Sequence, residues 1–212
     1  MMRILLLAVG YCFGLIQTGY LYGRAHGIDI RSKGSGNSGA TNTLRVLGKK
    51  AGLIVFLGDL LKALVPCLAV RLYYASAQPD LALVYMMYMA LGVILGHNYP
   101  CYLGFRGGKG ISSTSGFILA FDLRISAICL ACFAAAVGIT RYVSLGSLIV
   151  TTLNFILGVL FYKIGWIHVG QGEGTEYVIL LAVITVLSYI RHRANIVRLM
   201  NGTENKIGAK KA

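Results

Sequence analysis

The sequence predicts an all-α integral membrane protein of seven transmembrane helices, with helix 4 short, the N-terminus outside and the C-terminus cytoplasmic. Three observations carry this. Hydrophobic residues make up 57% of the 212 positions and charged residues only 13%, a balance that excludes an ordinary soluble domain. The apolar residues fall in runs near the roughly 20 residues needed to cross hydrocarbon. The basic residues behind the net charge of +13 collect in particular segments between those runs, and such a bias sets orientation.

Residues 4–23 carry no charge over 20 positions, and no A-x-A-like site follows them, so they predict a retained span and not a cleaved leader. Further apolar runs cover 51–75, 81–98, 111–139, 142–164 and 176–190. Segment 24–50 holds six basic residues (Arg24, Arg31, Lys33, Arg45, Lys49, Lys50), and 191–212 holds another six (Arg191, Arg193, Arg198, Lys206, Lys210, Lys211). Segments 76–80 and 165–175 hold none, so the basic segments are placed in the cytoplasm. Parity then decides 111–139, because a single crossing would leave the two basic segments on opposite sides. The run must cross twice or not at all. Two helices broken at Phe121-Asp122-Leu123-Arg124 make the first, 111–121, about 16 Å long at 1.5 Å per residue, short enough to need shelter from neighbouring protein. A re-entrant hairpin over 111–139 preserves the same outer topology.

Gly-x-x-x-Gly pairs at Gly10/Gly14, Gly19/Gly23 and Gly92/Gly96 predict close helix contacts. Cys12, Cys67, Cys129 and Cys132 sit in apolar runs as small hydrophobes, Cys101 lies in a polar loop, and no metal site is evident. No repeat or soluble module interrupts a single polytopic domain over 1–212.

Three polar segments then share the cytoplasmic face. In KGSGNSGATNTLR (33–45), small residues allow successive N–H groups to converge on an anion, so Gly34, Ser35, Gly36, Asn37, Ser38 and Gly39 predict a phosphate-binding nest before a helix starting at Ala40. A helix N-terminus adds about half a positive charge, and Arg45 can fork onto phosphate oxygens. A flexible linker is the plain alternative, which the asparagines and threonines of this stretch fit poorly. In GHNYPCYLGFRGGKG (96–110), Arg106-Gly107-Gly108-Lys109-Gly110 leads into the short helix 4 with Ser112, Ser113 and Thr114 on its first turn, a second candidate phosphate seat. It is not a Walker loop, since Leu103 and Gly110 occupy the positions where that pattern needs Gly and Ser/Thr. In RHRANIVRLMNGTENK (191–206), His192 and Asn195 project from one helix face, beside Arg198 and Glu204. A headgroup-binding basic surface accounts for the cations of these segments but not for Asn195 and Glu204. Asp59 and Lys62, three apart on one face, predict an inward ion pair near the site. His97, at the cytoplasmic end of its span, is a candidate ligand or a satisfied interfacial histidine; His26 and His168 have no companions.

These residues resemble, in order and over essentially the whole chain, the three cytoplasmic motifs of the bacterial acyl-phosphate:glycerol-3-phosphate acyltransferase family. The sequence departs from the family at Ser38, Tyr99, Arg106 and Ala63, of which Arg106 bears on how the second loop grips phosphate. The resemblance implies acyl transfer from acyl-phosphate to the sn-1 hydroxyl of glycerol 3-phosphate, giving lysophosphatidic acid and inorganic phosphate, the first step of phospholipid synthesis. It implies an inner-membrane enzyme with membrane lipid around it, no cofactor, no nucleic acid and no protein partner required for activity. The sequence agrees in lacking H-x-x-x-x-D, because Arg31, Tyr102, Glu173 and Val197 stand five positions after the four histidines.

Two phosphates side by side repel by roughly 4 kcal/mol per unit-charge pair at 4 Å with an effective dielectric of 20, so two cation-lined seats are expected. The first-motif nest with Thr41 and Asn42 is expected to hold the acyl-phosphate. Arg45, Lys109, His192 and Asn195 are expected to hold glycerol 3-phosphate, with Gly107, Gly108 and Gly110 able to serve either. Ser35 or Asn37 would stabilise the oxyanion. A mixed anhydride needs no acyl-enzyme, and the base is either His192 or a substrate phosphate oxygen. An organic-phosphate transporter would carry its polar groups at the midplane, and a CDP-alcohol phosphotransferase would need an acidic metal cluster; neither pattern is present in the sequence.

Overall fold

The computed structural model of the protein describes residues 1–208, so Lys210 and Lys211 lie outside the described residues. These residues form eight α-helices and no strand. Helices α1 (Met2–Gly14) and α2 (Thr18–Ala25) make one interrupted crossing; α3 (Ala40–Ala77), α4 (Pro79–Asn98), α6 (Leu123–Thr140), α7 (Val143–Lys163) and α8 (Gly174–Met200) are each long and apolar enough to cross, and α5 (Ile111–Phe121) is short. The chain is an all-α integral membrane protein with seven helical layers, the fourth short, as expected.

The first span differs from expectation in being broken at Leu15-Ile16-Gln17. A break in a span frees carbonyls that need new partners, and here side chains cap them. Lys62 Nζ lies 2.6 Å from Ile16 O, Gln17 Nε2 donates to Gly14 O at 3.2 Å, and Tyr102 OH donates to Leu15 O at 2.8 Å. Helix α3 is also longer than its apolar run. Its first eight residues, 40–47, form an arm that turns at Gly48, whose φ of +87° suits glycine.

The α5–α6 junction falls where the sequence places it. Asp122 caps α6 by accepting from the backbone N–H of Arg124 at 2.9 Å and of Ile125 at 3.1 Å. The shelter the short helix requires comes from α3: Gly116 lies against the Leu60 backbone, and the Arg71 guanidinium donates to the last carbonyls of α5, Ala120 and Phe121. Arg71 sits inside the apolar run 51–75, and sequence reasoning did not single it out. Helix α6 then runs 18 residues, long and apolar enough to cross.

Two of the three glycine pairs meet each other. Helix α1 crosses the buried α4 so closely that a methyl group on Gly92 would stand 2.2 Å from Leu7 O, and one on Gly10 would stand 2.3 Å from Met89 O. Gly19 and Gly23 instead receive a loop, since a methyl on Gly19 would meet Ser38 O at 1.9 Å and one on Gly23 would meet Ile28 O at 3.1 Å. Gly92→Ala is expected to destabilise by about 1–3 kcal/mol, read as a lower melting temperature in detergent. An unchanged melting temperature would contradict the close crossing.

These contacts sort the loops by end. At one end Arg3 pairs with Glu173 and Glu176, and Gly170 N donates to Asp80 O. At the other, loops 26–39, 99–110 and 201–208 come together with the N-terminal arm of α3 and the last turns of α8.

Candidate active site

At that second end a polar cavity of about 140 Å³ opens between α3, α5, α7 and α8. Its chemistry begins with two helix N-termini. Helix α3 starts after Gly39 and α5 after Gly110, neither with a side-chain cap, and both starts line the cavity through Ala40 and Thr41 and through Ile111 and Ser112. Uncapped first-turn N–H groups on two helices aim partial positive charge at one space.

The first glycine loop works differently from the expected nest. Ser35 N donates to Asn42 Oδ1 at 2.7 Å, Gly36 N to Lys33 O at 3.0 Å and Gly39 N to Asn37 Oδ1 at 2.9 Å, so these amides are spent within the loop. Asn42, expected on the phosphate, is their organiser. Its Oδ1 also accepts from Ser35 Oγ at 3.1 Å, and its Nδ2 donates to Ile30 O, Lys33 O and Asn37 O. Gly34 takes φ +61°, and a Cβ there would also stand 2.2 Å from Asn42 Oδ1, while Gly36 takes φ +72°. Ser38 is buried, with its hydroxyl 3.3 Å from Gln17 Oε1. Gly34, Gly36 and Ser38 therefore shape the loop without lining the cavity. Ser35, Asn37, Gly39, Thr41 and Asn42 itself do line it. Asn37 Oδ1 is held by Gly39 N, while its Nδ2 makes no hydrogen bond among the described residues.

The second loop is held from below and above. A Cβ on Gly108 would stand 2.0 Å from His97 Nε2, and one on Gly107 would stand 2.0 Å from His97 O, so both glycines pack directly on the end of α4. Arg191 clasps the loop from α8, donating to Gly107 O at 2.9 Å and to Gly108 O at 2.8 Å while its guanidinium lies over the Tyr99 ring. Gly107 and Gly108 thus place Lys109 and Gly110 on the cavity wall without lining it themselves. Arg106 is exposed and outside the cavity. Arg191 entered the sequence reading only as a topological charge, and nothing in its spacing marks it as a clasp.

Lys109 Nζ lies 2.5 Å from Asn195 Oδ1, whose Nδ2 donates to Glu204 Oε1 at 2.9 Å; Arg198 Nε donates to Glu204 Oε2 at 2.8 Å. This chain ties the segment after α8 over the cavity, where Arg45 also reaches Asn205 O at 3.3 Å. Burial holds the Lys109 ammonium down to about 8, with Arg198, Arg45 and Arg191 pushing the same way and Glu204 opposing them. His192 is buried, and its Nδ1 donates to Ser188 O at 2.8 Å, which leaves Nε2 for the cavity it lines. Ser144 and Ser147, three apart near the start of α7, line the opposite wall. Sequence reasoning missed them, although two serines at helical spacing beside a helix start carried a usable signal.

Asp59, which lines the cavity together with His97, forms a buried ion pair at 2.8 Å with Lys62 behind the cavity wall. Asp59 also accepts from Thr18 Oγ1 at 3.0 Å, and Lys62 Nζ lies 2.8 Å from His97 Nδ1. The same ammonium that caps the broken first span thereby fixes the His97 ring under Gly108. His26 and His168 stay away from the cavity. No group of three or more His, Cys, Asp or Glu able to hold a metal ion occurs among the described residues.

One wall of the cavity is apolar. Phe56, Ile111 and Phe133 are shared with an adjoining groove of about 480 Å³ between α3, α5, α6 and α7.

A family model described as glycerol-3-phosphate acyltransferase matches residues 4–202. A glycerol-3-phosphate acyltransferase of Clostridioides difficile is 42% identical over 98% of this chain and 97% of its own length, and one of Geobacter sulfurreducens is 41% identical over 98% of both. Among solved structures, the chain is similar to PlsY (YgiH), an integral membrane glycerol 3-phosphate acyltransferase, in its glycerol 3-phosphate form, with a TM-score of 0.82, 32% identity and coverage of 97% of this chain and 96% of that one. The lysophosphatidic acid form of that protein gives a TM-score of 0.80 at 31% identity, with 97% and 95% covered.

Proposed function

The chain belongs to the glycerol-3-phosphate acyltransferase family, and on that footing we propose that it transfers a fatty acyl group from acyl-phosphate to the sn-1 hydroxyl of glycerol 3-phosphate, releasing lysophosphatidic acid and inorganic phosphate. The observation that carries this reading is the continuity of a small, cation-lined cavity bearing two helix N-termini with a lipid-scale apolar groove. Two anionic headgroups and one alkyl chain are the cargo such a space fits. The basic end of the bundle faces the cytoplasm of a bacterial inner membrane under the positive-inside rule.

In this scheme Ser35, Asn37 and Thr41 with the start of α3 hold the acyl-phosphate. Lys109, Arg45, His192 and Asn195 hold glycerol 3-phosphate. The substrate hydroxyl attacks the acyl carbonyl carbon, and the developing oxyanion accepts from Asn37 Nδ2, the donor left uncommitted in the loop. The carbon–oxygen bond to phosphate then breaks. Asp59 is engaged by Lys62 and Thr18, and Glu204 by Asn195 and Arg198, so neither carboxylate is free as a base. The hydroxyl proton ends on the departing phosphate, with His192 Nε2 holding the nucleophile in line. No cofactor or protein partner enters the reaction.

The deciding experiment is phosphate release by the purified protein given palmitoyl-phosphate, with and without glycerol 3-phosphate, beside palmitoyl-CoA. Release that depends on glycerol 3-phosphate and yields lysophosphatidic acid is expected; turnover with palmitoyl-CoA alone would overturn the donor. A pH series adds a second check. Lys109 is charged below its depressed value and neutral above it, so kcat/KM for glycerol 3-phosphate is expected to fall as pH rises through about 8. Lys109→Arg, which stays charged, is expected to abolish that alkaline limb. A limb that survives in the arginine variant would assign it to another group.

A further inference from the structure

The apolar groove is a crevice between two antiparallel helices joined at Asp122. Ile111, Ser115 and Leu119 mark its descent along α5, while Phe133, Ala127 and Leu123 mark it along α6. The two hydroxyls on its walls are turned away from the space, Ser115 Oγ donating to Ile111 O at 3.0 Å and Ser126 Oγ to Ile118 O at 2.9 Å. What remains is a hydrocarbon surface. Its mouth is shared with the polar cavity, so a chain attached to a headgroup in that cavity enters at Ile111 and Phe133.

The depth of each level follows from helix geometry. At 1.5 Å per residue, Ala127 lies about 9 Å below Phe133 and Leu123 about 15 Å below it. Carbon–carbon bonds of about 1.5 Å at near-tetrahedral angles advance an extended alkyl chain by about 1.25 Å per carbon. The groove therefore spans about twelve carbons, and Ala127 stands beside about the seventh. Ala127 is exposed toward the groove, between the larger Leu130 and Leu123. A small side chain at this level keeps the two halves of the groove continuous.

We propose that Ala127 determines which acyl-chain lengths the enzyme accepts, its methyl group leaving open the lower half of the groove that long-chain donors fill. This rests on the acyl-phosphate reading of the site. A bulky residue there would reject chains longer than about seven carbons and leave shorter ones in place. Because Ala127 faces open space, filling it does not require the helices to move apart.

The test compares the full-length wild-type protein with Ala127→Phe and Ala131→Phe, using hexanoyl-phosphate and palmitoyl-phosphate in the same mixed micelles with saturating glycerol 3-phosphate. Ala131 is exposed on α6 but outside the groove, so its variant controls for added bulk on that helix. In Ala127→Phe the ratio of palmitoyl to hexanoyl kcat/KM is expected to fall by about tenfold or more relative to wild type, with hexanoyl turnover retained. In Ala131→Phe the ratio is expected to stay within about twofold of wild type. An unchanged ratio in Ala127→Phe, or an equal shift in Ala131→Phe, overturns the proposal. Should Ala127→Phe fail to fold, Ala127→Leu carries the same comparison. Wild-type protein that turns over neither donor sinks the acyl-phosphate reading itself, whereas wild-type turnover with an insensitive Ala127→Phe sinks only the role of Ala127.

Discussion

Lys109→Met is expected to lower kcat/KM for glycerol 3-phosphate by about 10²–10³-fold without unfolding the protein. The side chain is only partly buried, and its bond to Asn195 Oδ1 is its one hydrogen bond to α8 among the described residues. Methionine has similar length, so the wall of the cavity keeps its shape while losing the charge. The Asn195–Glu204–Arg198 chain continues without it. A loss of that size at an unchanged melting temperature places Lys109 on the reacting phosphates. Should activity drop less than about fivefold, or fall only together with the melting temperature, Lys109 is part of the scaffold.

Asp59→Ala is expected to have the largest effect on the fold. It leaves the Lys62 ammonium buried without its counter-ion, and breaking one side of a buried pair costs about 3–5 kcal/mol. The damage reaches the site through two routes. Lys62 caps Ile16 O at the break in the first span, and it fixes His97, on whose ring Gly108 rests. Activity is therefore expected to fall with stability. The double variant Asp59→Ala/Lys62→Met removes the stranded charge, and its melting temperature is expected to recover part of the loss. A double variant no better than the single would show that the cap on Ile16 O, and not the charge balance, is what the pair supplies.

Much of the site was legible as segments. Each of the three polar stretches contributes to one cavity, because small residues and cations between apolar runs have no reason to be retained in lipid-facing positions. The division of labour inside them was not legible. Asn37 in the loop and Asn42 in the first turn of α3 lie five positions apart, yet Asn42 spends its amide on the loop's backbone and Asn37 keeps a donor for the cavity. Nothing in residue type separates them. Similarly, Arg191 and Arg193 are equal as topological charges, and only the approach of α8 to the second loop makes one of them a clasp.

The sequence alone determined the all-α membrane fold, the short fourth helix with its break at Asp122 and the gathering of polar loops at one end. These follow from hydrophobic run length, from charge bias and from a local cap, all properties of neighbouring residues. Tertiary structure decided the break in the first span, the cap that Arg71 places on α5, and which glycine pairs meet. It also decided that two helix N-termini share one cavity with an apolar groove leading from it. Each of these depends on which segments come to lie side by side, and run length and charge bias carry no record of that.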